Sequence, residues 1–325
     1  MTNRPLIAAG VDLGSNSFRL LVARRDGRRL ETLAKESATV RLGQDLLKNK
    51  ALSPAAIGRA LQVLTSFRAT MAACQPQLSQ ACGTAALRAA ANSAQFLLEA
   101  KKALGLEIEV LSGQEEALLC LAGALSAFKQ PPAAPLLLAD VGGGSTELLL
   151  QTAAAAVRIA SLPLGAVGLT ERFPAGSPPS SRQVQALTGH IGSTLQAPLQ
   201  AWLAGPPRHP IPTVMATGGT ATALAALDLE LDRYDETVVQ GHVLSKSRLD
   251  QLCRRLLALP PAKRLLLPGL DKGRGDIILA GAKIYQVLLE LSGARQIIVS
   301  DAGLLEGIVL REAGRAGAGG VRREG

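Results

Sequence analysis

Two short segments with the same pattern constrain the fold of this chain more than any other feature. Residues 11–21 read VDLGSNSFRLL, and residues 139–150 read ADVGGGSTELLL. Each predicts a strand ending in aspartate, a turn of glycine and small hydroxyl residues, and a second strand. We call residues 12–17 loop 1 and residues 140–145 loop 2. Because glycine permits positive φ and close backbone approach, several N–H groups of such a turn can converge on one anion.

The carboxylates that begin the two loops are candidate metal-associated groups. Asp12 and Asp140 each stand where they could hold Mg²⁺, or a water bound to it, beside an anion. One such loop is a weak indication. Two at corresponding places in two halves predict a clamp on both sides of a phosphate chain.

The composition is that of a globular chain long enough for two domains. It has 325 residues, of which 47% are hydrophobic and only 2% aromatic. No apolar run reaches the roughly 18 residues that a membrane helix needs, so we expect no membrane association. The four cysteines form no Cys-x-x-Cys pair, which argues against a zinc site or a disulfide framework. Together with the lack of a signal-peptide pattern, this predicts a reducing cytoplasm.

The formal charge of +9 has two interpretations. It could mark a protein that binds polyanions, because positive potential attracts acidic ligands. Alternatively, the arginines only solvate the surface. Nucleic acid is not expected as the main ligand, because aromatic residues are not interleaved with the basic ones.

The order of predicted elements repeats along the chain. Three strands are followed by helices alternating with strands, residues 129–135 (KQPPAAP) interrupt the pattern, and the second half begins in the same way. This βββαβαβα duplication is typical of the actin, hexokinase and Hsp70 (ribonuclease H-like) α/β fold, whose two domains face each other across a cleft. We predict a first domain over residues 1–128, a second over 129–312 and a disordered tail over 313–325.

Four helix predictions are specific enough to test. A helix over residues 54–73 has Ser53 as N-cap and proline at its first position. Further helices are predicted over residues 85–104 and 275–291, and a last one begins at Ala302.

A third glycine-rich turn lies in residues 215–227, MATGGTATALAAL. A strand there delivers Gly218 and Gly219 to a helix start, whose free N–H groups and dipole favour an anion. Such turns are common in α/β proteins, but following two phosphate-type loops this one predicts a further phosphate or nucleotide contact.

Helix geometry predicts different roles for the two adjacent glutamates in residues 111–119, LSGQEEALL. Ser112 and Glu115 have the spacing of a capping box, which gives Glu115 a structural role. Glu116 points about 100° away and is left to face the cleft, where it could accept a proton from an attacking water. The alternative is an ordinary solvated acid that favours the positive helix end.

Taken in order, these motifs resemble the exopolyphosphatase / guanosine pentaphosphate phosphohydrolase (Ppx/GppA) family, from about residue 10 to residue 310. The segments that carry the resemblance are DLGSNSFRLLV, GTAALRAAANSAQFL, LSGQEEALL, DVGGGSTELLL, LPLGAVGLTERF, ATGGTATALAAL, GLDKGRGDIILAGAKI and SDAGLLEGI. The resemblance implies the two-domain actin-like fold. It also implies Mg²⁺-dependent release of orthophosphate from inorganic polyphosphate or guanosine pentaphosphate.

The resemblance also implies roles for individual residues. Glu116 matches the catalytic base, and Arg88 matches a basic residue at the cleft, although an arginine on a helix surface is the simpler explanation. The implied metal-associated acids are Asp12, Asp140 and Glu147. The implied phosphate-cradling residues are Ser15, Asn16, Gly142, Gly143, Gly144 and Ser145, to which we add Gly218 and Gly219.

Two departures from the family pattern leave the substrate open. Leu305 stands where the family usually has arginine, and Gly275 stands in RGD where RAD is usual. Beside an exopolyphosphatase, the alternatives are a guanosine pentaphosphate phosphohydrolase, a small-molecule kinase that uses ATP, and a non-catalytic sensor of polyphosphate or a guanosine alarmone. A homodimer is also plausible, although the sequence shows no interface for it.

Overall fold

The computed structural model describes residues 6–26, 29–152, 156–173, 179–203, 214–271 and 273–319. The chain divides into two compact units. Unit 1 combines Met1–Lys129 with Ala302–Gly325, and unit 2 is Gln130–Asp301.

Unit 1 is a five-stranded sheet with its helices. Its elements are β1 (Leu6–Leu13), β2 (Ser17–Asp26), β3 (Arg29–Thr39), α1 (Leu46–Asn49), α2 (Pro54–Cys74), β4 (Leu78–Gly83), α3 (Ala85–Ala89), α4 (Ser93–Leu104), β5 (Ile108–Val110), α5 (Gly113–Ser126) and, from the end of the chain, α13 (Leu304–Gly319). The strand order is β3-β2-β1-β4-β5. The first three strands are antiparallel, and β4 and β5 continue the sheet in parallel to β1.

Unit 2 repeats this plan. Its elements are β6 (Leu136–Val141), β7 (Thr146–Gln151), β8 (Val157–Leu162), α6 (Ala166–Arg172), α7 (Ser181–Leu203), β9 (Val214–Thr217), α8 (Gly218–Asp228), α9 (Glu236–Val239), β10 (Val243–Ser245), α10 (Lys246–Ala258), α11 (Pro261–Arg264), α12 (Ile278–Ser292) and β11 (Gln296–Val299). The order β8-β7-β6-β9-β11 matches unit 1 strand for strand, and β10 adds an antiparallel edge. The predicted duplicated actin-like fold is confirmed.

Each unit has its own core, built from the apolar residues of its central strands and of the helices packed on them. In unit 1, Val11 and Leu20 of the sheet pack with Leu64 of α2 and Phe96 of α4. In unit 2, β6 is buried along its whole length, as expected for a central strand covered on both faces. Burial of such strands fixes where their polar carboxyl ends emerge, which is where the candidate site residues lie.

The prediction for α2 is confirmed, while the predicted single helix over residues 85–104 is wrong. Ser53 caps α2 by accepting a hydrogen bond from the Ala56 N–H at 3.2 Å. Between α3 and α4, the Asn92 side chain accepts from the Leu52 N–H at 2.8 Å and donates to the Leu52 carbonyl at 3.0 Å. This pairing with a segment 40 residues away breaks the helix, and a local pattern cannot reveal it.

The end of the chain also differs from the prediction. Residues from Ala302 onward belong to unit 1, not to the predicted second domain, because α13 packs on α5 through glycines. A Cβ atom at Gly123 would overlap the Gly303 carbonyl oxygen, and one at Gly307 would overlap that of Leu119. The helical backbone continues to Gly319, past the predicted start of a disordered tail, and residues 320–325 lie outside the described ones.

Helix α12 begins at Ile278, three residues later than predicted, after a turn in which Gly275 packs closely on Leu265. Among the helices of the described residues, none is long and apolar enough to cross a membrane.

Candidate active site

The candidate residues of unit 1 follow the carboxyl ends of three parallel strands. Asp12 is the penultimate residue of β1, Arg88 lies on α3 directly after β4, and Glu116 lies on α5 directly after β5. The carboxyl ends of such strands meet at one edge of an α/β sheet, which is where ligands of these folds bind.

The two adjacent glutamates have the different environments that the capping argument predicts. Ser112 accepts from the Glu115 N–H, and the Glu115 carboxylate accepts from the Ser112 N–H at 2.8 Å, which completes a capping box. Hydrogen bonds from the Ser112 backbone and hydroxyl lower the pKa of Glu115. Glu116 is instead buried, with 6% of its surface exposed. Burial removes the alternative of a solvated surface acid.

Glu116 is an ion-pair partner of Arg88. The Arg88 Nη1 atom lies 2.7 Å from Glu116 Oε2 and also donates to the Leu111 carbonyl at 2.8 Å. Arg88, whose side chain is 25% exposed, ties the end of β5 to the acid on α5. In this pair Glu116 is the anionic partner, the form that can accept a proton.

Loop 1 has its carbonyl groups turned toward the segment after β3. The Ser15 carbonyl accepts from the Gly43 N–H at 2.8 Å, and the Asn16 carbonyl accepts from Val40 and Arg41 at 3.0 and 2.7 Å. Since the N–H and C=O of a trans peptide point in opposite directions, the N–H groups of Asn16 and Ser17 point away from that segment. This direction is compatible with the anion cradle that the sequence predicts.

Loop 2 is also held by hydrogen bonds to its carbonyl groups, in this case from helix α6. The carbonyl groups of Gly142 and Gly143 accept from Ala166 and Val167 at the start of α6, both at 3.0 Å. The N–H groups of Gly143 and Gly144 therefore point away from α6. Gly165 makes this close approach possible, because a Cβ atom there would overlap the backbone of Gly143.

A pair of buried carboxylates stands beside loop 2. Asp140 on β6 and Glu147 on β7 are directly opposite each other in the antiparallel register, and both are buried. The Ser161 hydroxyl donates to Glu147 Oε1 at 2.8 Å. Carboxyl oxygens at such a place are the ligand type that Mg²⁺ prefers in proteins.

The third glycine-rich turn contacts the same carboxylate. Gly218 has φ +81° and approaches Asp140 so closely that a Cβ atom would overlap Asp140 Oδ1. Gly219 lies against Arg274, whose Nη1 atom would be 2.6 Å from a Cβ atom there. The structure therefore brings Asp140, Glu147 and Gly218 together within unit 2. Arg274 is a cation near this turn, and the sequence motifs did not predict its place there.

The donor set fits Mg²⁺ better than a metal that needs a full protein cage. Among the described residues, no group of three or more His, Cys, Asp or Glu side chains could hold a metal. Mg²⁺ is usually held by one or two carboxylates together with waters and substrate phosphates. Asp140 and Glu147 supply such a pair in unit 2. In unit 1, Asp12 is buried, and the buried Oδ1 of Asn16 accepts no hydrogen bond from the described residues.

Leu305, the departure from the family pattern, has a packing role. It is buried in a small cluster with Ala8, Leu21, Ala23 and Val309, where α13 lies on β1 and β2. The apolar side chain therefore suits its surroundings in this chain.

Comparison with known proteins agrees with the geometry. The model of the Ppx/GppA phosphatase family matches residues 21–316. Exopolyphosphatase 2 of Mycobacterium tuberculosis is 30% identical over 319 residues, which cover 94% of this chain and 98% of that protein. A guanosine-5'-triphosphate,3'-diphosphate pyrophosphatase of Vibrio vulnificus is also 30% identical, over 94% of this chain but 59% of that protein.

Solved structures give the same result. An exopolyphosphatase-like protein superposes with a TM-score of 0.89 at 30% identity, covering 97% of this chain and 99% of the other. A Ppx/GppA family member of Aquifex aeolicus superposes with a TM-score of 0.77 at 30% identity, covering 96% and 98%. The family match over most of the chain, the strand order of both units and the buried Glu116 agree: the chain belongs to the Ppx/GppA phosphatase family.

Proposed function

We propose that this chain hydrolyses the terminal phosphoanhydride bond of inorganic polyphosphate and releases orthophosphate. The observation that carries the proposal is the buried Glu116, paired with Arg88 and separated in role from the capping Glu115. A carboxylate placed in this way can orient a water and take its proton. The relative named an exopolyphosphatase, which this chain matches over nearly its full length, supports the same substrate class.

In the proposed step, the oxygen of a water attacks the terminal phosphorus while the bond from phosphorus to the bridging oxygen breaks. Glu116 accepts the proton of the attacking water, and the shortened polyphosphate leaves with the electron pair of the broken bond. Arg88 keeps the Glu116 carboxylate in one place. In this proposal the N–H groups of loop 1 and of loop 2 each bind phosphoryl oxygens, since phosphoryl transfer needs mainly positioning and charge stabilisation.

Asp140 and Glu147 are the residues that we propose to hold Mg²⁺, with Asp12 as the corresponding acid of unit 1. When bound, the ion offsets negative charge on the phosphoryl oxygens. The four cysteines are free, which supports a reducing compartment such as the cytoplasm.

Guanosine pentaphosphate is the second candidate substrate, because the relative from Vibrio vulnificus is as similar in sequence as the exopolyphosphatase. The two activities share the cleavage of a terminal phosphate, so the catalytic residues do not discriminate them. The ratio of kcat/KM on the two substrates does.

The experiment is phosphate release by the purified chain in Mg²⁺, with long-chain polyphosphate and guanosine pentaphosphate assayed in parallel. Transfer of labelled phosphate from ATP to small-molecule acceptors is measured beside it. We expect release from polyphosphate with the higher kcat/KM. A higher value on guanosine pentaphosphate would reverse the ranking, label transfer would indicate a kinase, and binding of polyphosphate without release would indicate a sensor.

A further inference from the structure

Among the described residues, Tyr285 is the largest fully buried side chain, and its hydroxyl lies at the base of the Asp140 turn. The ring lies on α12, in the core of unit 2. The hydroxyl oxygen is 3.2 Å from the Ala139 carbonyl oxygen and 3.1 Å from the Thr217 carbonyl oxygen. Ala139 immediately precedes Asp140, and Thr217 immediately precedes Gly218. One hydroxyl thus connects the strand ends that carry the acid and the glycine packed on it.

Thr220 acts on the other side of the same acid. Its hydroxyl donates to the Val141 carbonyl at 2.9 Å, and the side chain is buried. The carbonyl groups of both residues that flank Asp140 are therefore hydrogen-bonded by side-chain hydroxyls. Gly281 on α12 lets Thr220 sit there, because a Cβ atom at that position would overlap the threonine methyl group. Helix α12 consequently supports both contacts.

Simple stabilisation of the fold does not account for where these hydroxyls lie. A tyrosine hydroxyl in a dry core needs a partner, and one carbonyl is sufficient. Here the hydroxyl bridges β6 and β9 at the register position where Asp140 pairs with Thr217. Gly218 leaves Asp140 Oδ1 almost no free space, so a small shift between these two strands would move the carboxylate.

We propose that Tyr285 and Thr220 are positioning residues, which fix the strand ends around Asp140 and thereby the direction of its carboxylate toward Mg²⁺. This inference rests on the proposed function, in which Asp140 holds that ion. Groups that orient a metal ligand without touching the metal change metal affinity or activity by roughly 10- to 100-fold when they are lost.

The test compares single hydroxyl deletions. Tyr285→Phe keeps the ring and Thr220→Val keeps the shape, while Thr220→Ser restores the hydroxyl. Ser292→Ala is the matched control: this buried hydroxyl lies on α12 seven residues beyond Tyr285, about 10 Å along the helix. Mg²⁺ binding is measured by calorimetry with the metal alone, and the Mg²⁺ concentration for half-maximal phosphate release is measured separately.

We expect Tyr285→Phe and Thr220→Val to weaken Mg²⁺ binding about 10-fold and to raise the half-activating Mg²⁺ concentration by a similar factor. Ser292→Ala and Thr220→Ser should stay near wild type. Wild-type Mg²⁺ affinity in both deletion variants would overturn the inference while leaving the proposed function intact. If Tyr285→Phe does not fold, the Thr220→Val and Thr220→Ser pair decides. A wild-type chain that binds no Mg²⁺ also overturns the inference, and its phosphate release then shows whether the proposed function survives.

Discussion

The contact between α5 and α13 leads to a quantitative prediction, because it is made of backbone. A Cβ atom at Gly307 would overlap the Leu119 carbonyl oxygen and lie 2.7 Å from its carbonyl carbon. Non-bonded carbon atoms prefer separations of about 3.5–4.0 Å, so Gly307→Ala must push the helices apart. Neither side of the contact is a flexible side chain that could rotate away.

The expected cost follows from two opposing effects. Overpacking a core costs typically about 1–3 kcal/mol, and the rigidity of both backbones favours the upper end. Alanine in place of glycine returns about 1 kcal/mol through helix propensity. We therefore expect Gly307→Ala to lower the free energy of unfolding by about 2 kcal/mol.

The matched control is Gly58→Ala on α2, where a Cβ atom would meet nothing within 4 Å. Only the propensity gain applies there, so this variant should be more stable than wild type by about 1 kcal/mol. Urea unfolding of both variants beside the wild type measures the difference. A Gly307→Ala variant as stable as Gly58→Ala would refute the close packing of α13 on α5.

Three further outcomes are expected. The hydrogen bonds from Ser112 lower the pKa of Glu115 from its ordinary 4.5, so this carboxylate stabilises the fold above pH 4.5 and loses that effect as the pH falls through the lowered pKa. In urea unfolding, the stability difference between wild type and Glu115→Gln should therefore be present at pH 7 and vanish in acid. A difference that does not depend on pH would contradict this. Burial raises the pKa of the Cys253 thiol to about 11. A thiol reagent at pH 8 should therefore label half-buried Cys74 in the native chain and reach Cys253 only after unfolding. Rapid labelling of Cys253 in the native chain would show that its surroundings open. Asn92→Ala removes both hydrogen bonds to Leu52 and should lower the free energy of unfolding by about 1–3 kcal/mol. A negligible change in urea unfolding would show that this contact does not stabilise the fold.

The sequence predicted those structural features that depend on residues close together in the chain. The capping box of Ser112 and Glu115, the cap at Ser53 and the strand–turn–strand loops all follow from spacings of a few residues, and the structure contains them. The different roles of Glu115 and Glu116 could be inferred for the same reason, since a capping acid cannot also face another direction on the helix.

What the sequence did not predict depends on contacts between distant segments. The break before α4 comes from Asn92 pairing with Leu52, and the place of α13 comes from glycines that meet another helix. The ion pair of Glu116 and Arg88 joins residues 28 apart, and Tyr285 reaches a carbonyl 146 residues away. An apolar periodic pattern shows that Tyr285 is buried but not which groups its hydroxyl contacts.

Glu116, and not its neighbour Glu115, is the base that we propose to activate water. Phosphate release from long-chain polyphosphate in Mg²⁺ should fall by roughly 100-fold or more in Glu116→Gln, the usual contribution of a general base. Glu115→Gln should keep near-wild-type release, because glutamine can still close a capping box. Near-normal release by Glu116→Gln, or an equal loss in both variants, would show that Glu116 is not this base.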